Sequence, residues 1–183
     1  MARTYHHGNL RPVLLATAAE AIEQDGPAAL SLRDLARRAG VSHAAPAHHF
    51  GDKAGLLTAL ATEGYDLLAE AVGAADDIVE AGLAYIRFAV EHRGHFEVMF
   101  QPDLYRNDDP DVVAARERAG RALTDALAAL PEPPTAKEGR AARLAAWSIV
   151  HGFAGLWIGG VLPADLGDDP AAAARPVISR LFQ

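Results

Sequence analysis

The chain has 183 residues and a mass of 19.3 kDa, with 40 alanines, 7% aromatic residues, no cysteine and a mean hydropathy of +0.03. Lacking cysteine, it can form no disulfide framework, thiolate metal site or thiol nucleophile, and its alanine-rich, aromatic-poor composition favours helix. The net charge of −7 is uneven: residues 1–55 carry six Lys/Arg and five of the eight His against five acids, while residues 56–183 carry 11 bases against 19 acids, which confines any phosphate-binding surface to the first third.

No apolar run reaches the roughly 18 residues a membrane span needs. The opening MARTYHHGNLRP lacks the basic-then-apolar order of a signal peptide, so a soluble, cytoplasmic protein with no membrane partner is expected. Apolar residues recur at spacings of three and four almost everywhere and strand alternation is not evident, which predicts an all-α chain.

A first helix is expected from Leu10 to about Gln24, with Asn9 as N-cap, Pro12 in the first turn and Asp25-Gly26-Pro27 as the stop; Leu14, Leu15, Ala18, Ala21 and Ile22 form its buried stripe. Ser31-Leu32-Arg33-Asp34 then opens a short helix with a capping-box pattern, and Ala39-Gly40 closes it. Ser42 is the expected N-cap of a further short helix over residues 43–50, closed by Gly51-Asp52. Two short helices joined through a glycine turn define a helix-turn-helix, with Ala36 allowing close crossing and Leu35, Val41 and Phe50 as its small core.

A longer helix follows from Lys53 to about Val72. Beyond it the sequence predicts helices over 78–92, 111–130, about 137–160 and 171–182, a brief turn at 95–100, and loops at 102–110, 131–134 and 161–170. The whole divides into a small helix-turn-helix head, residues 1–55, suited to reading DNA, and a larger, acidic helical body, residues 56–183.

The run Ser31-Leu32-Arg33-Asp34-Leu35-Ala36-Arg37-Arg38-Ala39-Gly40-Val41-Ser42, followed by His49-Phe50-Gly51-Asp52-Lys53-Ala54-Gly55-Leu56-Leu57, resembles the DNA-binding domain of TetR-family transcriptional regulators over about residues 9–70. Ala146-Trp147-Ser148-Ile149-Val150-His151-Gly152-Phe153 resembles the Trp-xxx-His-Gly signature of the WHG-type C-terminal domain found on one branch of that family, and Tyr5-His6-His7-Gly8-Asn9-Leu10-Arg11 resembles that branch's N-terminal arm. The resemblance implies a homodimer, mostly a repressor, whose reading helices enter successive major grooves of a palindromic double-stranded operator and which a small molecule releases.

Carried over by position, the resemblance places His43, Ala44 and Ala45 against base edges, with His43 as a hydrogen-bonding reader and the alanines limited to methyl contact. Ser31, Ser42 and Lys53 with the first-turn amides would hold phosphates, joined by Arg33 and, in part, His48. Ser31 and Ser42 are equally plain N-caps. Arg3, Tyr5 and His6 on the arm would reach the adjacent backbone or minor groove. The chain departs from the family at Ala47, where members commonly carry an aromatic, often Tyr, that reaches a phosphate; one contact per subunit should be missing.

In the body, Tyr85, Phe88 and His92 share one helix face, Phe96, Met99 and Phe100 follow, and Trp147 and His151 stand four apart. Aromatics with a few polar tips suit the cavity of a small, largely apolar ligand, and the same stripe equally reads as packed core. By resemblance, Phe153, Leu156, Trp157, Val177, Ile178, Leu181 and Phe182 form a four-helix interface between subunits, with Gly152, Gly155 and Gly159 giving room for close packing. Catalysis has no signature here: there is no phosphate loop, nucleophile elbow or carboxylate pair with an evident base, and no cofactor is implied. The alternative weighed beside the regulator is a His-based metal-binding or metal-sensing helical protein using His92, His95 and His151.

Overall fold

The computed structural model of the chain describes residues 10–180, and every regular element among them is helical. Among these residues nine α-helices run in order: α1 Leu10–Ala29, α2 Leu32–Ala39, α3 Ala45–Phe50, α4 Lys53–Gly73, α5 Ile78–Glu91, α6 Arg93–Met99, α7 Pro110–Ala128, α8 Gly139–Ile158 and α9 Pro170–Ser179, with short 3₁₀ turns at Pro102–Leu104 and Ala164–Leu166. None of these helices is long and apolar enough to cross a membrane.

Packing groups the chain into two compact units, Met1–Gly64 with Arg93–Val113, and Tyr65–His92 with Ala114–Gln183. This division differs from a single boundary after residue 55, because α6 and the segment after it belong with the N-terminal helices. The sequence suggested only a brief turn at residues 95–100; in the structure Arg93–Met99 is helical, and Gly94 is what lets α6 form against α1, since a side chain would run into the backbone carbonyl of Ala19. On the next turns of α6, His95 Nε2 meets Glu63 Oε2 at 3.0 Å, and Met99 packs where a Cβ on Gly64 would lie 2.6 Å from its sulfur. The core of this first unit is aliphatic: Leu14, Ile22, Leu35, Leu56, Leu57 and Leu60 are fully buried.

In α1 the regular helix ends where the sequence places the stop, for Gly26 takes φ 77° and ψ 160° and a last turn resumes beyond it. The C-terminal unit is built on α5, which packs against α8 and α9. Gly82 on α5 admits Ile178 and Val150, whose methyls would stand 3.1–3.3 Å from a Cβ there. Arg118 reaches Asp66 at 2.6 Å and Arg175 reaches Glu80 at 2.6 Å on the outside of this unit.

Candidate nucleic-acid interface and effector cluster

The helix-turn-helix forms for the reasons its sequence supplies at α2. Ser31 Oγ accepts from the Asp34 amide at 3.1 Å, and Gly40 ends the helix at φ 67°, a left-handed conformation that costs glycine nothing. The Val41 amide then returns to the Ala36 carbonyl at 3.0 Å. Asp34 also accepts from Arg37 at 2.7 Å and Arg38 at 2.6 Å, and these two hydrogen bonds, Arg37 first, hold its carboxyl below the usual range. Arg38 continues to Asp25 at 2.5 Å and Gln24 at 3.1 Å, tying α2 to the end of α1. Sequence reasoning missed this network because its members are 13 and 14 residues apart.

The start of α3 differs from expectation. Ser42 does not cap it: the residue before the helix is Ala44, in helical conformation and without a side-chain cap, and the helix begins at Ala45. Proline explains the shift. A helix capped at Ser42 would need an amide at position 46 to donate to the Ser42 carbonyl, and Pro46 has none; the Ala45 amide closes a tighter turn to that carbonyl at 3.0 Å instead. Pro46 then occupies the first turn, where no donor is required, and is buried with Phe50, over whose ring Arg11 sits at 5.3 Å.

Of the predicted DNA-contacting residues, Ser31, Arg33, Ser42, His43, Ala44 and His48 are exposed, as is Ala47, while Ala45 is half-buried. Lys53 is half-buried and its Nζ donates to the Ala28 carbonyl at 3.0 Å, so its charge is held at the end of α1. Asp52 caps α4, accepting from the Gly55 amide at 2.8 Å; that bond first, and the Arg106 charge after it, hold its carboxyl low. Arg3, Tyr5, His6 and the expected cap Asn9 lie outside the described residues.

The candidate ligand residues fall into distinct groups. In the C-terminal unit, Tyr85 of α5 meets Trp147 and His151 of α8: the Tyr85 hydroxyl lies 2.9 Å from His151 Nδ1, and Trp147 Nε1 donates to Tyr85 Oη at 3.3 Å. Burial pushes the Tyr85 phenol well above its ordinary value and holds the His151 imidazole below 6.5. Tyr85 thus stays a neutral phenol able to donate to a neutral imidazole, while Trp147 remains 38% exposed at the edge of the cluster. Phe88 is buried on the next turn of α5, its ring 5.3 Å from that of His92. In the N-terminal unit, Phe96 and Phe100 meet edge-on at 5.1 Å, and Met99 is buried against α4.

The candidate interface residues also divide. Phe153 and Ile178 are buried within their own unit, and Trp157 stacks on Phe153 at 6.2 Å. Leu156 and Val177 are exposed at 48% and 45%. With Ala141, Leu144, Ala145, Ser148, Gly152, Gly155 and Gly159, Leu156 makes one exposed face of α8, and from Leu144 to Leu162 the chain has no Asp, Glu, Lys or Arg. Nothing lies within 4 Å of where Cβ atoms on Gly152 and Gly155 would stand. Leu181 and Phe182 fall outside the described residues. The three histidines of the metal alternative have other company: His95 pairs with Glu63, His151 with Tyr85, and His92 with Phe88, and no group of three possible ligands occurs among the described residues.

A capped helix, a left-handed glycine and a second short helix with an exposed outer face, ahead of a helical body, define a helix-turn-helix regulator of transcription. The chain matches the family profiles described as bacterial regulatory proteins, tetR family, over residues 14–60, and Tetracyclin repressor-like, C-terminal domain, over residues 78–181, and it belongs to the TetR family. A solved protein of unknown function from Rhodococcus sp. RHA1 is 35% identical over 99% of both chains, with a TM-score of 0.73. The TetR family transcriptional regulator PfmR from Thermus thermophilus is 25% identical over 92% of this chain and 96% of its own, with a TM-score of 0.62. The fatty acid degradation regulator FadR from Bacillus halodurans shares the fold at 15% identity, over 97% of each chain, with a TM-score of 0.72. No curated protein matches the chain.

Proposed function

We propose that this TetR-family protein is a cytoplasmic, homodimeric repressor that binds a palindromic operator and leaves it when a small, largely apolar ligand binds. Residues 1–55 read the DNA, and residues 56–183 bind the effector and dimerise. The observation that carries the reading is the outer surface of the helix-turn-helix: Ser31, Arg33, Ser42, His43, Ala44 and His48 stand exposed on a head whose own core is complete. Of residues 43–45, His43 alone carries a side chain able to hydrogen-bond a base, and sequence preference rests substantially on the shape of the operator and on backbone contacts.

The second copy is supported by the exposed face of α8. A water-facing helix ordinarily carries charge, and a face of Leu144, Leu156 and open glycines is suited to the same face of another subunit. The Tyr85–Trp147–His151 cluster supports an effector that is mainly apolar with one hydrogen-bonding group, and membership of the TetR family supports a role as regulator rather than enzyme.

The test is salt-dependent binding of the purified protein to the intergenic DNA beside its own gene, against a scrambled duplex of equal length. Saturable binding of one dimer to the first, with a steep salt slope, is expected. Equal binding to both duplexes would remove operator specificity at that locus, and no binding at low salt would remove the regulator reading itself. A thermal-shift screen against a compound panel then finds the effector by the rise in Tm it causes.

A further inference from the structure

Arg106 lies in the segment between α6 and α7, 54 residues from Asp52, and the two are joined. Its Nη2 donates to Asp52 Oδ1 at 3.0 Å and Oδ2 at 2.9 Å, while its backbone amide donates to Thr58 Oγ1 at 3.0 Å. Thr58 is buried and its hydroxyl donates in turn to the Ala54 carbonyl at 2.7 Å, so Arg106 is anchored both to the corner before α4 and to its second turn. The guanidinium lies over Gly55, where a Cβ would stand 2.7 Å from Nη1. The preceding residue, Tyr105, is buried and its hydroxyl donates to the Met99 carbonyl at 2.8 Å, fastening the segment to the end of α6.

The far end of this strap is the corner at which α3 turns into α4. α3 is six residues long, closes with the Gly51 amide on the Ala47 carbonyl at 2.8 Å, and is followed directly by Asp52. A helix that short cannot hold itself, so its pitch depends on what its ends are tied to. At its C-terminal end those ties are buried Phe50 and the Asp52 corner.

We propose that Arg106 is a positioning residue of the DNA-reading head, holding the α3–α4 corner through Asp52 and so setting the angle at which α3 meets the major groove. The two side chains form a matched ion pair at this corner, and through it Arg106 acts on α3. The inference rests on the DNA-binding reading for its effect on affinity, and on the protein alone for its effect on α3.

The experiment follows hydrogen exchange of the free full-length dimer and operator titration at several salt concentrations, for wild type, Arg106→Gln, Asp52→Asn and the double variant, with thermal melts to confirm folding. Asn keeps a capping oxygen for Gly55, so Asp52→Asn weakens the pair without uncapping α4. Arg106→Gln is expected to speed exchange at the His48 and Gly51 amides and to weaken operator binding, each about fivefold, with the salt slope unchanged and no further loss in the double variant, as coupled neighbours behave. Arg106→Lys should recover part of both.

Unchanged exchange in Arg106→Gln overturns the proposal, and so does a salt slope lowered by about one with exchange intact, which marks a direct phosphate contact. Additive losses in the double variant overturn it as well. Should the wild type bind no operator, the DNA-binding reading fails, while the exchange data still decide whether Arg106 holds α3.

Discussion

Replacing Leu156 by arginine tests the second subunit at the most exposed large apolar residue of the α8 face. Full burial of a leucine is worth about 1.5–3 kcal/mol. Leu156 is 48% exposed in the single chain, so covering the remainder contributes about half of that, roughly 0.7–1.5 kcal/mol per copy. A two-fold interface contains the residue twice, which brings the total to about 1.5–3 kcal/mol, or a factor of about 10–100 in the dimer dissociation constant. Arginine forfeits this and buries a charge from each copy in a face that otherwise has none. The dissociation constant should therefore rise at least tenfold, measured by sedimentation over nanomolar to micromolar protein, with the helical content of the monomer unchanged. An unaltered dissociation constant in a folded variant would refute the assignment of this face to a second copy.

Ala47 is exposed on α3, and Ala47→Tyr restores a phosphate-reaching hydroxyl; a hydrogen bond to a charged group contributes about 1.5 kcal/mol, so operator binding should tighten about tenfold for each phosphate the new hydroxyl reaches. Operator titration at fixed salt checks it, and equal affinity would show that a side chain at 47 does not reach the backbone. His151 gives a pH dependence of defined sign. Burial holds its imidazole below 6.5, so the unfolded chain takes up that proton first, and its effect is a loss of stability as pH falls from 6.5 toward the folded-state value. Melting curves of wild type and His151→Gln from pH 8 to pH 5 should converge or cross on acidification, wild type losing more Tm; parallel curves would show that His151 titrates alike in both states.

Much of the head was legible because it is local. The Ser31–Asp34 cap spans three residues and the Gly40 turn follows directly from a residue type, so composition and spacing sufficed. The displaced start of α3 was legible in principle, since Pro46 marks the missing donor, but the preference for serine as a cap points to Ser42. Arg106 and Asp52 could not be paired from sequence, because both are common polar residues in different segments and nothing periodic connects them. On α8 the periodicity reveals that two faces are apolar without saying which is covered. Phe153 and Leu156 are three residues apart and equally hydrophobic, yet one is in the core and the other in solvent, and only the placement of α5 and α9 decides between them. Aromatic spacing likewise brought Tyr85, Trp147 and His151 into view but not the hydrogen bonds that order them.

The N-terminal compact unit is assembled from two stretches of chain, ending at Gly64 and resuming at Arg93. A ribosome adding about 5–20 residues per second takes roughly 2–7 seconds to go from residue 64 to residue 99, the last of α6. Throughout that interval the surfaces of α1 and α4 that receive Gly94, His95 and Met99 exist without α6. Nascent chains of this protein thus pass through a stage in which the DNA-reading helices are complete in sequence but open on one side. For the same reason, grafting this reading head onto another body requires two splice points, and a chimera cut once after α4 would carry a head without α6.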